Sequence, residues 1–123
     1  MSTRLALPVS ELRAGNRCCT GDGPSAITDA EAAHASTDFE ILANPIRLQL
    51  LDVLARNAGL VCVCDLEAAV PVKQPTVSHH LKLLRGAGLV SSERRGLYQY
   101  YHIDQKALRA LRRRITNQLA AFG

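Results

Sequence analysis

One amphipathic segment constrains the fold of this chain more than any other: Lys73–Leu89, with the sequence KQPTVSHHLKLLRGAGL. Its apolar residues Val77, Leu81 and Leu84 follow one another at i, i+4 and i+7, so they share one face of a helix. Polar side chains occupy most of the other positions, and two glycines end the pattern. The segment therefore predicts a helix that buries one face in a core and presents polar groups on the other.

Helical patterns also precede this segment. Thr28 and Glu31 have the spacing of a capping box and predict a first helix that runs to about Ala43. Asn44 followed by Pro45 predicts the start of a second helix, since asparagine caps well and proline at the first position lacks only an N–H that would be unpaired there. The expected buried stripe of the second helix is Ile46, Leu50, Leu51 and Leu54.

Three further elements complete the pattern. A short third helix is expected from near Cys62 to before Pro71. From Val90 to Ile103 the sequence changes to Val, Ser and Tyr around a central Gly96, which predicts a β-hairpin. A closing helix is expected over about Gln105–Ala120, and its apolar residues fall close to a heptad seam. The seam consists of Leu108, Leu111, Ile115 and Leu119.

The order of these elements predicts a fold that is mostly α with a small β-hairpin: a winged helix-turn-helix with additional N- and C-terminal helices, for which the family resemblance described below implies a role in dimerisation. A chain of 123 residues is long enough for one modest core. Aromatic residues make up only 4% of it, so that core must consist of aliphatic side chains. Residues 26–123 are expected to form the DNA-binding and dimerisation domain, and residues 1–25, rich in glycine, a flexible N-terminal arm.

Composition and charge narrow the class of protein. Lys and Arg exceed Asp and Glu by 15 to 11, which gives a net charge of +4 and suits a nucleic-acid partner without proving one. No apolar run approaches the roughly 20 residues that span a bilayer, and the N-terminus lacks the pattern of a signal peptide. We expect a cytoplasmic protein with no membrane partner, in which four cysteines bind metal or undergo redox chemistry instead of forming disulfides.

The amphipathic helix has the properties of a DNA recognition helix. Short polar side chains near its N-terminal end can reach base edges in the major groove, and basic ones can neutralise phosphates. The candidates are Lys73, Gln74, Thr76, Ser78, His79, Lys82 and Arg85. The alternative is an ordinary amphipathic surface helix. His80 should point toward the core and be a structural histidine.

The hairpin resembles the wing of such a fold. Arg94 and Arg95 lie beside Gly96 at its tip, with Tyr98 following. A basic tip on a narrow ribbon fits a minor groove or a row of phosphates. A solvated charged turn is the alternative.

The four cysteines occur as two tight pairs, Cys18-Cys19 and Cys62-x-Cys64. Thiolates chelate soft, thiophilic ions, and two donors on one short segment lower the entropy cost of assembling a site. If Cys62 caps the third helix, the sulfurs of Cys62 and Cys64 can converge at the helix start, where the helix dipole is expected to lower the pKa of both thiols. Three or four sulfurs would suit As(III) or Sb(III), or four-coordinate Cd(II), Pb(II) or Zn(II). A buried VCVC run in the core is the alternative reading of the second pair.

Taken together, these motifs resemble those of the ArsR/SmtB family of winged-helix metalloregulators, closest to its arsenic-responsive repressors. The resemblance covers about Phe39–Ile103. The motifs are ILANPIRLQLLDVL (Ile41–Leu54), VCVCDL (Val61–Leu66), QPTVSHHLKLLRGAGLV (Gln74–Val90) and RRGLYQYYHI (Arg94–Ile103).

The resemblance implies a homodimer that represses its operator DNA without inducer and leaves it when the inducer binds. It places the dimer interface on the first helix and on the seam of the closing helix. A CVC at the start of the third helix, here Cys62 and Cys64, is the mark of arsenic-type and cadmium/lead-type sensors. The closing helix lacks the His and acidic residues of the zinc-type site, and Lys73 stands where a small hydroxyl residue often caps the recognition helix.

The sequence thus favours a repressor induced by As(III) or Sb(III) through Cys18, Cys19, Cys62 and Cys64. Two alternatives stay open: a Cd(II)/Pb(II) sensor using all four sulfurs, and a thiol redox or persulfide switch. An enzyme is not expected, because there is no cofactor loop and CVC is not the C-x-x-C of thiol oxidoreductases.

Overall fold

The computed structural model describes residues 23–57 and 59–123. The expected arm over residues 1–25 lies outside this part of the chain except for its last three residues, and both Cys18 and Cys19 are outside it. The chain divides into two units, Met1–Ala32 and Ala33–Gly123.

The elements occur in the predicted order, with one addition. They are α1 (Asp29–Leu42), α2 (Pro45–Arg56), β1 (Val61–Cys62), α3 (Val63–Ala68), α4 (Gln74–Gly86), β2 (Val90–Arg95), β3 (Tyr98–Ile103) and α5 (Gln105–Ala120). This is a mostly helical winged helix-turn-helix, as the sequence predicts. None of the helices in the described ranges is long and apolar enough to cross a membrane.

The predicted capping of α1 and α2 is confirmed. Thr28 Oγ1 accepts a hydrogen bond from the backbone N–H of Glu31 at 3.1 Å, and its hydroxyl donates to the Glu31 carboxylate at 3.1 Å. Asn44 Oδ1 accepts from the N–H groups of Ile46 at 2.9 Å and Arg47 at 3.2 Å, just ahead of a helix that has Pro45 in its first turn. These bonds satisfy N–H groups that have no partner within the helix.

The buried stripe of α2 differs from the expected one. Leu50 and Leu54 are buried as predicted, but Ile46 and Leu51 are only half-buried, and Arg47 is buried in their place. Arg47 lies three positions before Leu50 and seven before Leu54, so it belongs to their face of the helix.

The sheet has three strands, not two. Beside the predicted hairpin of β2 and β3, the short strand β1 pairs antiparallel with β3, giving the order β1-β3-β2. Val61 lies opposite Tyr101 and Cys62 opposite Tyr100. The sequence analysis missed β1 because a strand of two residues is too short to show alternation of apolar and polar positions.

The core lies between α2, α3, α4, the sheet and the inner face of α5. Val77, Leu81 and Leu84 of α4 are fully buried in it, which confirms the predicted inner face of that helix. The other members of the core are Leu50, Leu54, Val61, Leu66, Val70, Leu89, Val90, Ile103 and Leu111. The sheet thus holds α4 from one side while leaving the opposite face of this helix in solvent.

Candidate nucleic-acid interface and thiol pair

The outer face of α4 is polar and accessible. Its candidate DNA-contacting residues Gln74, Thr76, Ser78, His79 and Lys82 are all exposed. Lys73 occupies the N-cap position in an extended conformation, and its side chain makes no capping bond. The first N–H groups of α4 therefore have no side-chain acceptor from the cap residue, and the amino group of Lys73 is free to extend outward.

Arg85 connects the end of α4 to the wing. Its Nη1 donates to the hydroxyl of Ser92 in β2 at 2.9 Å, while the side chain remains exposed. A basic group at this position can contact a phosphate that lies between the helix and the wing. The bond also fixes the wing relative to the helix, so the two elements would meet a duplex as one surface.

The wing ends in a tight basic turn. Arg95 pairs with Tyr98 across the hairpin, which leaves Gly96 and Leu97 as a two-residue turn. Gly96 has φ +62°, a conformation that glycine adopts without strain. Arg94 and Arg95 are exposed beside this turn. Arg95 donates to Glu93 at 3.2 Å, whereas Arg94 makes no ion pair with any residue that the structure describes.

The turn also exposes apolar surface. Tyr98 is 55% exposed and Leu97 is 87% exposed. The sequence analysis did not single out Leu97, and nothing in the sequence distinguishes it from a leucine that packs. The wing therefore carries charged and apolar groups together at its tip, a combination that minor-groove-binding proteins use.

Cys62 and Cys64 lie together at the start of α3. Cys62 ends β1 and is the N-cap of α3, with φ −65° and ψ 142°, while Cys64 is the second residue of the helix. The thiol of Cys64 donates to Sγ of Cys62 at 2.8 Å. Both cysteines are free; Cys64 is exposed and Cys62 half-buried. The convergence at a helix start follows the prediction, and a wholly buried VCVC run is wrong for Cys64.

The predicted lowering of the thiol pKa is wrong for Cys64. The hydrogen bond to Cys62 raises the pKa of the Cys64 thiol, since donating the S–H stabilises the protonated form. The carboxylate of Asp65, directly following, acts in the same direction.

The thiol pair alone is an incomplete metal site. No group of three or more His, Cys, Asp or Glu side chains within residues 23–57 and 59–123 is placed to hold a metal ion. Two neighbouring soft sulfurs suit part of the ligand set of a thiophilic ion, but a trigonal or tetrahedral site needs one or two more donors. The candidate donors Cys18 and Cys19 lie outside the described residues.

His80 points to the interior, as predicted, and is 9% exposed. Its Nδ1 lies 3.2 Å from Nη1 of Arg47, which is also buried. Arg47 was not among the residues singled out from the sequence. Its position on the same face of α2 as Leu50 and Leu54 indicates burial, and a buried arginine must have acceptors within the protein.

The heptad residues of α5 have two environments. Leu111 is buried in the core of its own chain, and Leu108 and Ile115 are half-buried against that core. Leu119 is 55% exposed. No side chain of α1 is buried. Both α1 and α5 therefore have surface that other described residues of the same chain do not cover, and on α5 this surface includes the apolar side chain of Leu119.

Comparison with known proteins identifies close similarities. The family described as bacterial regulatory protein, arsR family, matches residues 44–92, which include α2, the thiol pair, α4 and the start of β2. An arsenical resistance operon repressor from Staphylococcus xylosus is 37% identical over 73 residues, 59% of this chain and 68% of the repressor.

Solved structures agree with the sequence comparison. The AntR antimony-specific transcriptional repressor has a TM-score of 0.57 and 34% identity, over 96% of this chain and 97% of that one. A homodimeric winged helix-turn-helix DNA-binding domain from Mycobacterium bovis has a TM-score of 0.55 and 32% identity, over 80% of this chain and 90% of that one.

Proposed function

Because the chain belongs to the arsR family of bacterial transcriptional regulators, we propose that it is a metalloid-responsive repressor. In this proposal it binds operator DNA as a homodimer and is released when As(III) or Sb(III) binds its cysteine thiolates. The observation that carries the proposal is the pair of converging sulfurs of Cys62 and Cys64, located where the wing sheet meets the helices of the DNA-reading unit.

The DNA-binding part of the proposal rests on exposure and charge. All ten candidate residues of α4 and the wing are exposed. Gln74, Thr76, Ser78 and His79 lie at the N-terminal end of α4, from which a recognition helix reads base edges. Lys73, Lys82 and Arg85, together with Arg94, Arg95 and Tyr98 of the wing, would contact phosphates and the neighbouring minor groove.

The dimeric part of the proposal rests on the outer helices. Leu108, Ile115 and Leu119 extend along α5 from its half-buried to its exposed side, and Leu111 anchors the same helix in the core. A second copy that covers Leu119 and the open side of α1 would remove apolar surface from water. The similar domain from Mycobacterium bovis is a homodimer, and a two-fold symmetric dimer suits an operator with two half-sites.

The metalloid would be held by Cys18 and Cys19 of the arm over residues 1–25, together with one or both of Cys62 and Cys64. Arsenous acid forms an As–S bond by losing an As–OH group, and the thiol proton leaves with the hydroxide as water. Ligation of Cys64 must break its hydrogen bond to Cys62. The antimony-specific repressor to which this chain is similar supports a metalloid of this chemical class.

The thiol pair is linked to the wing through the pairing of adjacent strands. Cys62 belongs to β1, and its backbone lies opposite Tyr100 of β3. β3 forms the wing with β2, and Gln99 lies opposite Arg94. A ligand that moves Cys62 would therefore disturb β3, and through β3 the position of Arg94 in the neighbouring strand β2. By linkage, if the ion weakens DNA binding, DNA weakens ion binding by the same factor, and a coupling of about 1–3 kcal/mol corresponds to a several-fold to hundred-fold response.

Two other inducers of this thiol pair are a Cd(II) or Pb(II) ion on all four sulfurs and an oxidant. The second is favoured by one observation, the 2.8 Å approach of two free thiols of which one is exposed. Oxidation would release DNA without any ion, and a reductant would reverse the release.

Fluorescence anisotropy with a labelled duplex from upstream of the chain's own gene tests the proposal. Under reducing conditions at fixed salt, As(III) and Sb(III) are expected to release the wild-type protein at far lower concentration than Cd(II) or Pb(II). Cys62→Ser with Cys64→Ser should bind the duplex and no longer respond, and so should Cys18→Ser with Cys19→Ser. Ser91→Ala is a matched control on β2 and should respond as wild type.

Metalloid release that survives replacement of Cys62 and Cys64 would refute the proposed site. Release by Cd(II) or Pb(II) alone would change the inducer to a four-sulfur ion. Release only after withdrawal of the reductant would favour the redox switch.

A further inference from the structure

The buried side chain of Arg47 joins three helices. Its Nε donates to the carbonyl of Ile41 at 2.7 Å and its Nη2 to the carbonyl of Glu40 at 2.9 Å. These carbonyls belong to the last turn of α1, where carbonyl groups have no N–H partner within the helix. The third group of the guanidinium, Nη1, lies 3.2 Å from Nδ1 of His80 in α4. Arg47 therefore closes the end of α1 and binds α4 at the same time.

The contact determines the state of the imidazole. A guanidinium has only donors, so Nδ1 of His80 must accept the hydrogen bond, and the ring proton is on Nε2. Burial lowers the pKa of His80, and the positive charge of Arg47 and then His79 act in the same direction. The neutral ring is thus the form that fits this position. A protonated ring would turn Nδ1 into a donor and place its N–H against an N–H of the guanidinium, with no acceptor between them.

The position of His80 gives this contact a directional effect. His80 directly follows Ser78 and His79 on α4, and directly precedes the buried Leu81. Apolar packing of the inner face of α4 determines which face is buried, and a hydrogen bond adds a directional constraint, since the hydrophobic effect itself is non-directional. A hydrogen bond weakens steeply when it is bent. Rotation of α4 that moved Ser78 and His79 away from the base edges would bend the bond between Arg47 and His80.

We infer that Arg47 and neutral His80 are a positioning pair that fixes the rotation of α4 relative to the end of α1, so that protonation of His80 weakens specific binding of operator DNA. The inference rests on the proposed function, in which α4 reads the operator. Protonation of His80 would thus affect α4 separately from inducer binding at the thiol pair, through two residues that contact neither DNA nor the inducer.

Other titrating and charged groups lie near the pair. His79 is exposed on the same helix, with its ring centroid 5.4 Å from that of His80. Its protonation would strengthen attraction to phosphates, so it acts in the opposite direction to the expected loss. The charged residues that line a cavity together with Arg47 are Asp38 and Glu40 of α1 and Arg114 of α5. Asp38 accepts a hydrogen bond from Arg114.

The experiment compares the operator duplex with a shuffled duplex from about pH 7.5 to about pH 5, a range that spans histidine titration. The ratio of the two affinities removes the general effect of added positive charge. For the wild-type protein this ratio should fall on the order of ten-fold as the pH decreases. His80→Asn retains an acceptor near the position of Nδ1 but cannot be protonated, so its ratio should not fall as the pH decreases, whatever its affinity at neutral pH. His34→Asn replaces an exposed histidine of α1 and should follow the wild type.

A ratio in His80→Asn that falls as in the wild type would overturn the inference, and so would a constant ratio in the wild type. A wild-type protein that binds neither duplex at any pH would refute the proposed function instead. Nitrogen NMR of the imidazole rings examines the pair without DNA. An unprotonated, hydrogen-bonded Nδ1 of His80 at neutral pH is expected, and a proton on Nδ1 would overturn the pairing.

Discussion

Asp38 of α1 accepts two hydrogen bonds from the guanidinium of Arg114 in α5, at 2.8 and 3.1 Å, although 76 positions separate the two residues. Their contact raises the pKa of Arg114 further above its ordinary value, so this guanidinium stays charged. This ion pair joins the two helices that the proposed dimer would use. A second copy would therefore meet α1 and α5 already held together within one chain.

Replacing Asp38 with asparagine should lower the free energy of unfolding by up to about 1 kcal/mol, because a paired arginine at the surface contributes little after solvent screening. The side chains of Arg114 and Asp38 are 56% and 21% exposed. Urea denaturation measures the change, which should shrink in high salt. Asp52→Asn is the matched control, since it breaks an ion pair with Arg56 that lies within one helix and is more exposed. Equal losses in the two variants would contradict a role for Asp38 in joining α1 to α5.

Replacing Leu66 of α3 with alanine should lower the free energy of unfolding far more than replacing Leu97 of the wing. Leu66 is fully buried and Leu97 is 87% exposed. Truncating a buried leucine costs about 2–5 kcal/mol, since it removes transfer free energy and leaves a cavity. Leu97→Ala should change the unfolding free energy by less than about 0.5 kcal/mol. A loss for Leu97→Ala as large as that for Leu66→Ala would mean that the wing tip packs against protein in solution.

The stability of the protein should fall in mildly acidic solution. The pKa of His80 in the folded state is lowered from its ordinary value of 6.5, by burial first and by Arg47 next. The unfolded chain therefore takes up a proton as the pH falls through about 6.5, while the folded protein stays neutral at this site to a lower pH. The stabilising effect of the neutral ring is full above pH 6.5 and is lost as the pH falls through the folded pKa. Urea denaturation of wild type and His80→Asn over this range would measure it, and identical pH profiles would contradict the prediction.

Patterns of several residues predicted the fold well. The positions of Val77, Leu81 and Leu84 identify the inner face of α4, and the local hydrogen bonds of Asn44 and Thr28 fix where helices begin. Each depends on neighbours within one or two turns, which sequence shows directly. The strand β1 was missed because its pairing with Tyr100 and Tyr101 joins residues far apart in the chain.

The candidate sites show the same contrast between local patterns, which the sequence displays, and contacts between distant residues, which it does not. The convergence of Cys62 and Cys64 follows from their spacing at a helix start, and the structure brings their sulfurs together. The acceptors of Arg47 lie in α1 and α4, so its burial could be suspected from the pattern of α2 but its partners could not be named. The direction of the Cys64 pKa was predicted wrongly because the hydrogen bond between the two thiols, which raises it, could not be seen from the sequence.

The final prediction separates residues that read sequence from residues that bind phosphate. Gln74 is exposed at the first position of α4, where its amide can form two hydrogen bonds with an adenine. Gln74→Ala should weaken binding to the operator by about 1–3 kcal/mol and leave binding to a shuffled duplex unchanged. Arg94 is exposed in the wing and has no ion-pair partner among the described residues. Arg94→Ala should weaken binding to both duplexes and reduce the slope of log affinity against log salt by about 1.

A second arginine supplies the control for charge. Arg113 is exposed on α5, outside the proposed interface with DNA. Arg113→Ala removes the same charge from the protein as Arg94→Ala, but it should leave both affinities and the salt dependence as they are in the wild type. Anisotropy titrations at several salt concentrations would measure all three variants. If Arg94→Ala and Arg113→Ala reduced the salt dependence equally, the wing would not be the contact, since only the net charge of the protein would then matter.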